Sequence, residues 1–221
     1  MRILLLTTLF FITIFSELEA QTQYFELVIA PGRTVPLSDA EDLSSEFTLG
    51  IHTFYSYHFD SRFSIITGLS WHYNRIGGIR DYSPIFGCDT KDGELDPLNS
   101  YYELEKRTNY LTVPVELEYN LGNFGISFGG ECAFILSDDN DVILNECGVI
   151  KADTDSELHN IEAESILFNL IAGAQMALGK NKNTRIKPRV KYSVNSVSTG
   201  PDFDYKFLTF ELGIGYRVSL D

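Results

Sequence analysis

Two consecutive stretches, residues 46–59 and 62–74, place an apolar or aromatic side chain at every second position. In the first, Phe47, Leu49, Ile51, Thr53, Tyr55, Tyr57 and Phe59 alternate with Thr48, Gly50, His52, Phe54, Ser56 and His58. In the second, Phe63, Ile65, Thr67, Leu69, Trp71 and Tyr73 alternate with Ser64, Ile66, Gly68, Ser70 and His72. A period of two makes a strand with two unlike faces, and these runs exceed the usual strand of soluble proteins. Asp60-Ser61 between them reads as a tight turn, so the pair is a long antiparallel hairpin.

The same period recurs. Leu111, Val113, Val115, Leu117 and Tyr119 alternate with Thr112, Pro114, Glu116 and Glu118. Phe124, Ile126, Phe128, Gly130, Cys132 and Phe134 alternate with Gly125, Ser127, Gly129 and Glu131. The set from Ile166 to Leu178 alternates with Leu167, Asn169, Ile171, Gly173, Gln175 and Ala177. TRIKPRVKYSV, residues 184–194, puts Arg185, Lys187, Arg189 and Lys191 on one face, and a final strand sets Leu208 to Val218 against Thr209, Glu211, Gly213, Gly215 and Arg217. An opening strand near Tyr24 to Ala30 brings the count to eight. Short links near 60, 122 and 181 alternate with longer ones at about 31–45, 78–106, 137–163 and 196–204. That rhythm, with an even strand number, is expected of outer-membrane barrels with tight periplasmic turns and long external loops. The expected fold is all-β, an eight-stranded antiparallel up-and-down transmembrane β-barrel formed by residues 21–221 as one domain.

Residues 1–20 are set apart. Arg2 supplies a positive start, Ile3 to Phe15 a short apolar run, and Leu18-Glu19-Ala20 a small residue before Gln21, the pattern of a cleaved secretory signal. The run is too short for an ordinary spanning helix. The chain has 17 basic and 31 acidic residues, net −14, and removing the leader with Arg2, Glu17 and Glu19 leaves a net charge near −13. Nucleic acid is therefore not an expected partner, since phosphate binding needs a basic surface.

A barrel with these faces can be a soluble one with an apolar cavity or a membrane one with an apolar exterior. The polar face is rich in small residues, among them Gly50, Ser56, Ser64, Gly68, Ser70, Gly125, Ser127, Gly129, Gly173, Gly213 and Gly215, which suit a crowded lumen. The apolar face carries aromatics toward both strand ends: Tyr55, Tyr57, Phe59, Phe63, Tyr119, Phe124 and Tyr216 at the short turns, Trp71 and Tyr73 at the long links. Girdles of that kind are what a bilayer asks for. Arg185, Lys187, Arg189, Lys191 and Arg217 are then expected to point into the lumen and to meet Glu116, Glu118, Glu131 and Glu211, which share their parity. Glu211 is placed opposite Arg189 or Lys191, and Glu116 and Glu118 at the height of Arg185 and Lys187. In an eight-stranded barrel, such side chains fill the interior.

At NYLTVPVELEYNLG, residues 109–122, the chain resembles the PorT-type outer-membrane β-barrel domain family, in which a Tyr-Leu-x-x-Pro-apolar strand ends in an aromatic-x-apolar-Gly turn. Pro114, Leu117, Tyr119 and Gly122 are the matching positions, and the leader, eight strands and closing ELGIGYRVSL extend the likeness over most of the mature chain. The resemblance implies a small barrel in the bacterial outer membrane and brings no catalytic residue. The end departs from the pattern, with Leu220-Asp221 in place of an aromatic terminus.

Other residues invite sharper readings. His52 and His72 fall on the inward face of adjacent strands, near enough for a metal but without a defined third ligand, so hydrogen-bonded interior histidines are the expectation. Ser70 and His72 share that face, and Glu157 with His159 lies in a link, but neither pair comes with an evident nucleophile elbow or oxyanion donor. The long links are acidic, with Asp81, Asp89, Asp92, Glu94 and Asp96 in one and Asp138, Asp139, Asp141, Glu146, Asp153, Asp155 and Glu157 in another. SDDNDVILNE, residues 137–146, lacks the glycine and spacing of a calcium loop, leaving a solvated face open to loosely held divalent ions. Cys88 and Cys147 fall in different external links, where a disulfide is permitted, while Cys132 faces lipid. No cofactor is expected. The expected role is non-enzymatic, a monomer contacting outer-membrane lipid, with protein or divalent-cation contacts at the external loops. A lipid-modifying enzyme, a small channel, a secretion accessory and a soluble ligand-binding barrel are the alternatives.

Overall fold

The computed structural model describes residues 22–37, 43–44, 46–81, 101–146, 149–152, 165–196 and 206–220. The leader, Cys88, Cys147, Glu157, His159 and the acidic residues Asp89, Asp92, Glu94, Asp96, Asp153 and Asp155 lie outside these residues. Among the described residues ten strands follow one another: β1 (Thr22–Leu37), β2 (Leu43–Ser44), β3 (Glu46–His58), β4 (Phe63–Asp81), β5 (Tyr101–Leu121), β6 (Phe124–Glu146), β7 (Val149–Ala152), β8 (Ile166–Leu178), β9 (Thr184–Ser193) and β10 (Lys206–Ser219). Eight of them form a ring in the order β1, β3, β4, β5, β6, β8, β9, β10, and every neighbouring pair is antiparallel. The ring closes where β1 pairs with β10, from Tyr24 opposite Ser219 to Leu37 opposite Lys206. Closure gives every ring strand a neighbour on both sides within the barrel, and the upper ends of β4 and β6 run past theirs.

The parity read from the sequence holds around the ring. Outward Leu27, Ile29, Val115, Leu117, Phe128, Phe168, Leu212 and Ile214 are each 47–64 % exposed, while the intervening residues are buried or half-buried. A contiguous apolar belt of that extent is not a surface that water tolerates.

The strands outrun their expected ends. β1 continues to Leu37, β4 to Asp81 and β6 to Glu146, and β5 already begins at Tyr101, so the long links are shorter than the alternation alone implies. Residues 137–146 are accordingly extended strand and not a loop: they pair with β5 as far as Asn145 and with β7 at Glu146, and a straight strand cannot wrap its carboxylates around one ion. β4, β5 and β6 have 19, 21 and 23 residues against 13, 10 and 14 for β8, β9 and β10, so one side of the barrel stands taller. On this taller part β2 pairs with β4 and β7 with β6.

Local chemistry sets the short turns. The Asp60 carboxylate accepts hydrogen bonds from the backbone N–H of Arg62 (2.6 Å) and Phe63 (2.7 Å), which hold its carboxyl below the usual carboxylate range and brace the β3–β4 turn. Gly122 joins β5 to β6 at a φ of 75°, a conformation that glycine adopts without strain.

One irregularity changes what faces inward. Asn109 pairs with Ser137 and Tyr110 with Ile135, so Leu136 has no opposite number, and the single extra residue shifts the parity of β6 beyond it. Asp138 therefore enters the lumen, which corrects its placement on a solvated acidic link.

Gly129 marks a close approach of two strands: a Cβ built there falls 2.1 Å from the Val115 carbonyl oxygen and 2.6 Å from the Glu116 Cα. We expect Gly129→Ala to cost about 2 kcal/mol or more through the backbone shift it forces. A lower denaturant midpoint for loss of the folded, fast-migrating gel band is the check, and an unchanged midpoint would show that the strands have room there.

Candidate functional site

The lumen is built in layers. At the turn end lie Arg217, Arg185, Glu26 and Glu118; above them Val28, Ala30, Phe54 and Ile66 form a small apolar cluster that Lys187 crosses. Next come Glu116, Arg189 and His52, then Glu211, His72, Lys191 and Glu131. A second apolar cluster of Ile76, Tyr110, Ala133, Leu167 and Phe207 caps that layer, and Lys106, Thr108 and Asp138 sit beyond it. Between the turn end and the cap, five cations (Arg185, Lys187, Arg189, Lys191, Arg217) meet five carboxylates (Glu26, Glu116, Glu118, Glu131, Glu211) among the described residues. Buried charges in equal number are what a dry lumen requires, since an unmatched one costs several kcal/mol.

All nine residues that parity assigns to this network share the lumen, but their pairings differ from simple height matching. Glu116 bonds Arg189 instead of meeting Arg185 or Lys187. Lys187 pairs at 2.8 Å with Glu26, which also lies 3.5 Å from Arg217. Strand tilt carries each residue sideways as well as upward, so partners across a barrel are offset from those on a flat drawing. Glu26 is the residue that the sequence reading passed over. It sits on the inward parity between Phe25 and Leu27, and the alternation from Tyr24 to Ala30 is the signal that marks it. Lys191 reaches Glu211 at 3.1 Å and Glu131 at 3.5 Å, while Glu211 stands directly across from Arg189 in the β9–β10 register. The Lys187 ammonium and Arg189 guanidinium both lie over the Phe54 ring, 4.8 and 5.0 Å from its centroid, so one aromatic ring helps to stabilise two neighbouring cations. Glu118 accepts a hydrogen bond from the Ser64 hydroxyl.

The structure supplies the third group that His52 and His72 lacked: Glu211, brought across from β10, lies with both histidines in a buried cluster whose ligand atoms fall within 4.8 Å of one another. The surroundings fix the histidine protons. The Lys191 ammonium, which has no lone pair, is 2.9 Å from His72 Nε2, so Nε2 accepts and the proton sits on Nδ1, facing Glu211 Oε1 at 3.3 Å. Arg189 (3.4 Å) and the Ser70 hydroxyl (2.9 Å) both meet His52 Nδ1, which leaves Nε2–H facing Glu211 Oε2 at 3.6 Å. Each ring thus turns its acceptor to a cation and its donor to the carboxylate. A metal ion here would sit beside the Arg189 and Lys191 cations and compete with them for the one carboxylate, so the three residues belong to the ion-paired lumen and do not make a favourable metal centre.

Ser70 bonds His52, not His72, and the line Ser70–His52–Glu211 has the order of an acid–base triad. Ser70 is 2 % exposed, and the neighbouring cavity lined by His72, Glu131, Lys191 and Glu211 measures about 30 Å³, the room of a water molecule. No acyl ester fits beside that hydroxyl. Cys132, opposite Val113 and Phe168 on the outward parity, is a free thiol on the apolar exterior. Of the acidic residues in the tall strands, Asp138 bonds Lys106 and Thr108 at 2.8 Å each, and Asp141 pairs with Arg107 at 3.1 Å.

Fold and lumen together define the class: a small closed up-and-down barrel, ion-paired within and apolar without. No family model and no curated protein matches the sequence, so the PorT-type likeness of residues 109–122 has no family model behind it. Among solved structures, the chain is similar to Ail, the attachment invasion locus protein of Yersinia pestis, in complex with the heparin analogue sucrose octasulfate (14 % identity, 89 % of this chain and 99 % of that one, TM-score 0.43). It is also similar to Neisserial surface protein A (12 %, 88 % and 96 %, TM-score 0.39) and to the outer membrane protein OprG from Pseudomonas aeruginosa (10 %, 90 % and 97 %, TM-score 0.41).

If the bulge at Leu136 turns Asp138 inward, Lys106 and Asp138 are energetically coupled. We expect a double-mutant cycle with Lys106→Met and Asp138→Leu to give a coupling of about 1–3 kcal/mol, with the double variant more stable than the sum of the singles implies. Strictly additive losses would put Asp138 back on the outside.

Proposed function

We propose that this chain is a non-enzymatic β-barrel of the bacterial outer membrane, held shut by its lumen ion pairs and acting at the surface through the parts above the apolar belt. The apolar belt carries the reading. In β10, Phe210, Leu212, Ile214, Tyr216 and Val218 face outward over nine residues, which at ~3.3 Å per residue and a tilt of ~40° cover roughly 20 Å, close to the apolar height of such barrels. Aromatics rim the belt, with the Phe63 and Tyr119 rings 5.0 Å apart at the turn side and Trp71 and Tyr73 toward the tall side. The leader and the PorT-type likeness point the same way. Above the belt the outward residues become charged: Glu105 bridges Arg75 (2.8 Å) and Arg107 (2.5 Å), and Arg107 reaches on to Asp141. Lipid headgroups, divalent ions and proteins are the partners that such a rim, on a monomer, would meet. The filled lumen favours this role over that of a channel, and the sealed Ser70 favours it over that of a lipid-modifying enzyme.

We expect the protein to fractionate with outer membranes and, after extraction in mild detergent, to run faster on a gel unheated than boiled. Recovery from the soluble periplasm without detergent would overturn the reading and make the apolar face a cavity wall. An independent check uses Cys132 in a chain carrying Cys88→Ser and Cys147→Ser: we expect reaction in membranes with an apolar maleimide and protection from a membrane-impermeant one. Equal labelling by both would place the belt in water.

A further inference from the structure

The turn end of the barrel opens into a cavity of about 620 Å³, within the range of small-molecule sites, about 300–1,000 Å³. Its walls carry more positive charge than their neighbours neutralise. Arg217 is 97 % buried, yet its Nε has no hydrogen-bond partner and its terminal nitrogen meets Glu26 and Gln175 only at 3.5 Å. Arg185, half-buried on the adjacent wall, likewise has an Nε with no partner and forms no ion pair with another described residue. Lys182, at a φ of 55°, adds a third cation at the rim. Among the described residues Asp60 is the one carboxylate at the rim, and its oxygen is engaged by the turn backbone, while neither Glu26 nor Glu118 lines the cavity.

Charge bookkeeping by layer gives the same answer. The turn-end layers hold Arg185, Lys187 and Arg217 against Glu26 and Glu118, whereas the middle holds Glu116, Glu131 and Glu211 against Arg189 and Lys191. The lumen is balanced as a whole but polarised along its axis, with the surplus cation at the open end. We propose that this vestibule is an oxyanion site, taking the carboxylate or phosphate group of a small molecule or of a lipid headgroup on the forks of Arg185 and Arg217. Guanidinium presents a planar set of donors matched to both oxyanions, and a buried one such as Arg217 binds more strongly than an exposed lysine does. Asn120, Asn181 and Asn183 line the same space and offer amide donors to the remaining oxygens.

The test uses the full mature chain folded in a non-ionic detergent without phosphate, with inorganic phosphate as the probe in equilibrium dialysis. We expect saturable binding at one site, weakened about tenfold or more by Arg185→Gln, the loss of one charge-assisted hydrogen bond, and unchanged by Lys206→Gln at the opposite end. Arg217→Gln is expected to abolish binding, and if that variant fails the heated-versus-unheated gel test for folding, the half-exposed Arg185 carries the experiment alone. Competition by phosphatidylglycerol micelles against bound phosphate would assign a lipid headgroup as the source, and indifference to them a soluble anion. Phosphate binding that Arg185→Gln leaves intact, or no saturable binding of phosphate, acetate or phosphatidylglycerol, would overturn the site.

Discussion

Everything in this molecule depends on the pairing of β1 with β10. In a hydrocarbon setting an unpaired backbone amide costs several kcal/mol, so a sheet is tolerable only when its last strand returns to its first. Once it does, the eight ring strands have only two faces to dispose of, and the side-chain period of two sorts every residue to one or the other. The apolar residues go outward because that face has nothing polar to offer, and the charged residues have only the lumen left to them. Closure thus makes the interior electrostatics compulsory: ten charges are confined together, and only mutual neutralisation makes their burial bearable.

The manner of neutralisation is not pairwise. Glu26 serves Lys187 and Arg217, Lys191 serves Glu131 and Glu211, and the histidines carry the remaining field between Arg189, Lys191 and Glu211. Imidazole suits this position because its two ring nitrogens can face a cation on one side and a carboxylate on the other. The small residues do the complementary work of volume: Gly213 and Gly215 leave room for Val28 and Glu26, which a Cβ would approach to 2.6–2.8 Å.

How much of this could be read from the chain follows from what each feature depends on. The strand parity was legible because it is strictly local, and in TRIKPRVKYSV the charges display it without interruption. His52 and His72 could be recognised as inward neighbours because the parity of β3 and β4 is local, whereas the register that sets Gly50 opposite His72 and His52 opposite Ser70 comes from a three-residue link, Asp60-Ser61-Arg62, one residue longer than the tight turn read from the sequence. Glu211 joining them could not, since it arrives from across the ring, and the offset between β4 and β10 is a property of the tilt of the closed barrel. Asp138 was misassigned for a different reason. One unpaired residue, Leu136, reverses the parity beyond it, and nothing in ILSDDND distinguishes a bulge from the end of a strand. Cys88 and Cys147 fall outside the described residues, so their pairing is not addressed by the fold.

The unequal strand lengths have a mechanical meaning. Where β4, β5 and β6 rise above the ring they cease to be barrel and become a three-stranded flag, and a flag has two edges of free peptide groups, the usual docking rail for a stray strand. Here each rail carries a cover at the positions it reaches: β2 lies along β4 at Gly77 and Gly78, and β7 along β6 from Ile143 to Glu146. At those positions the β4 and β6 backbones are already paired, so neither can take up a further strand there by sheet extension, which accepts almost any sequence.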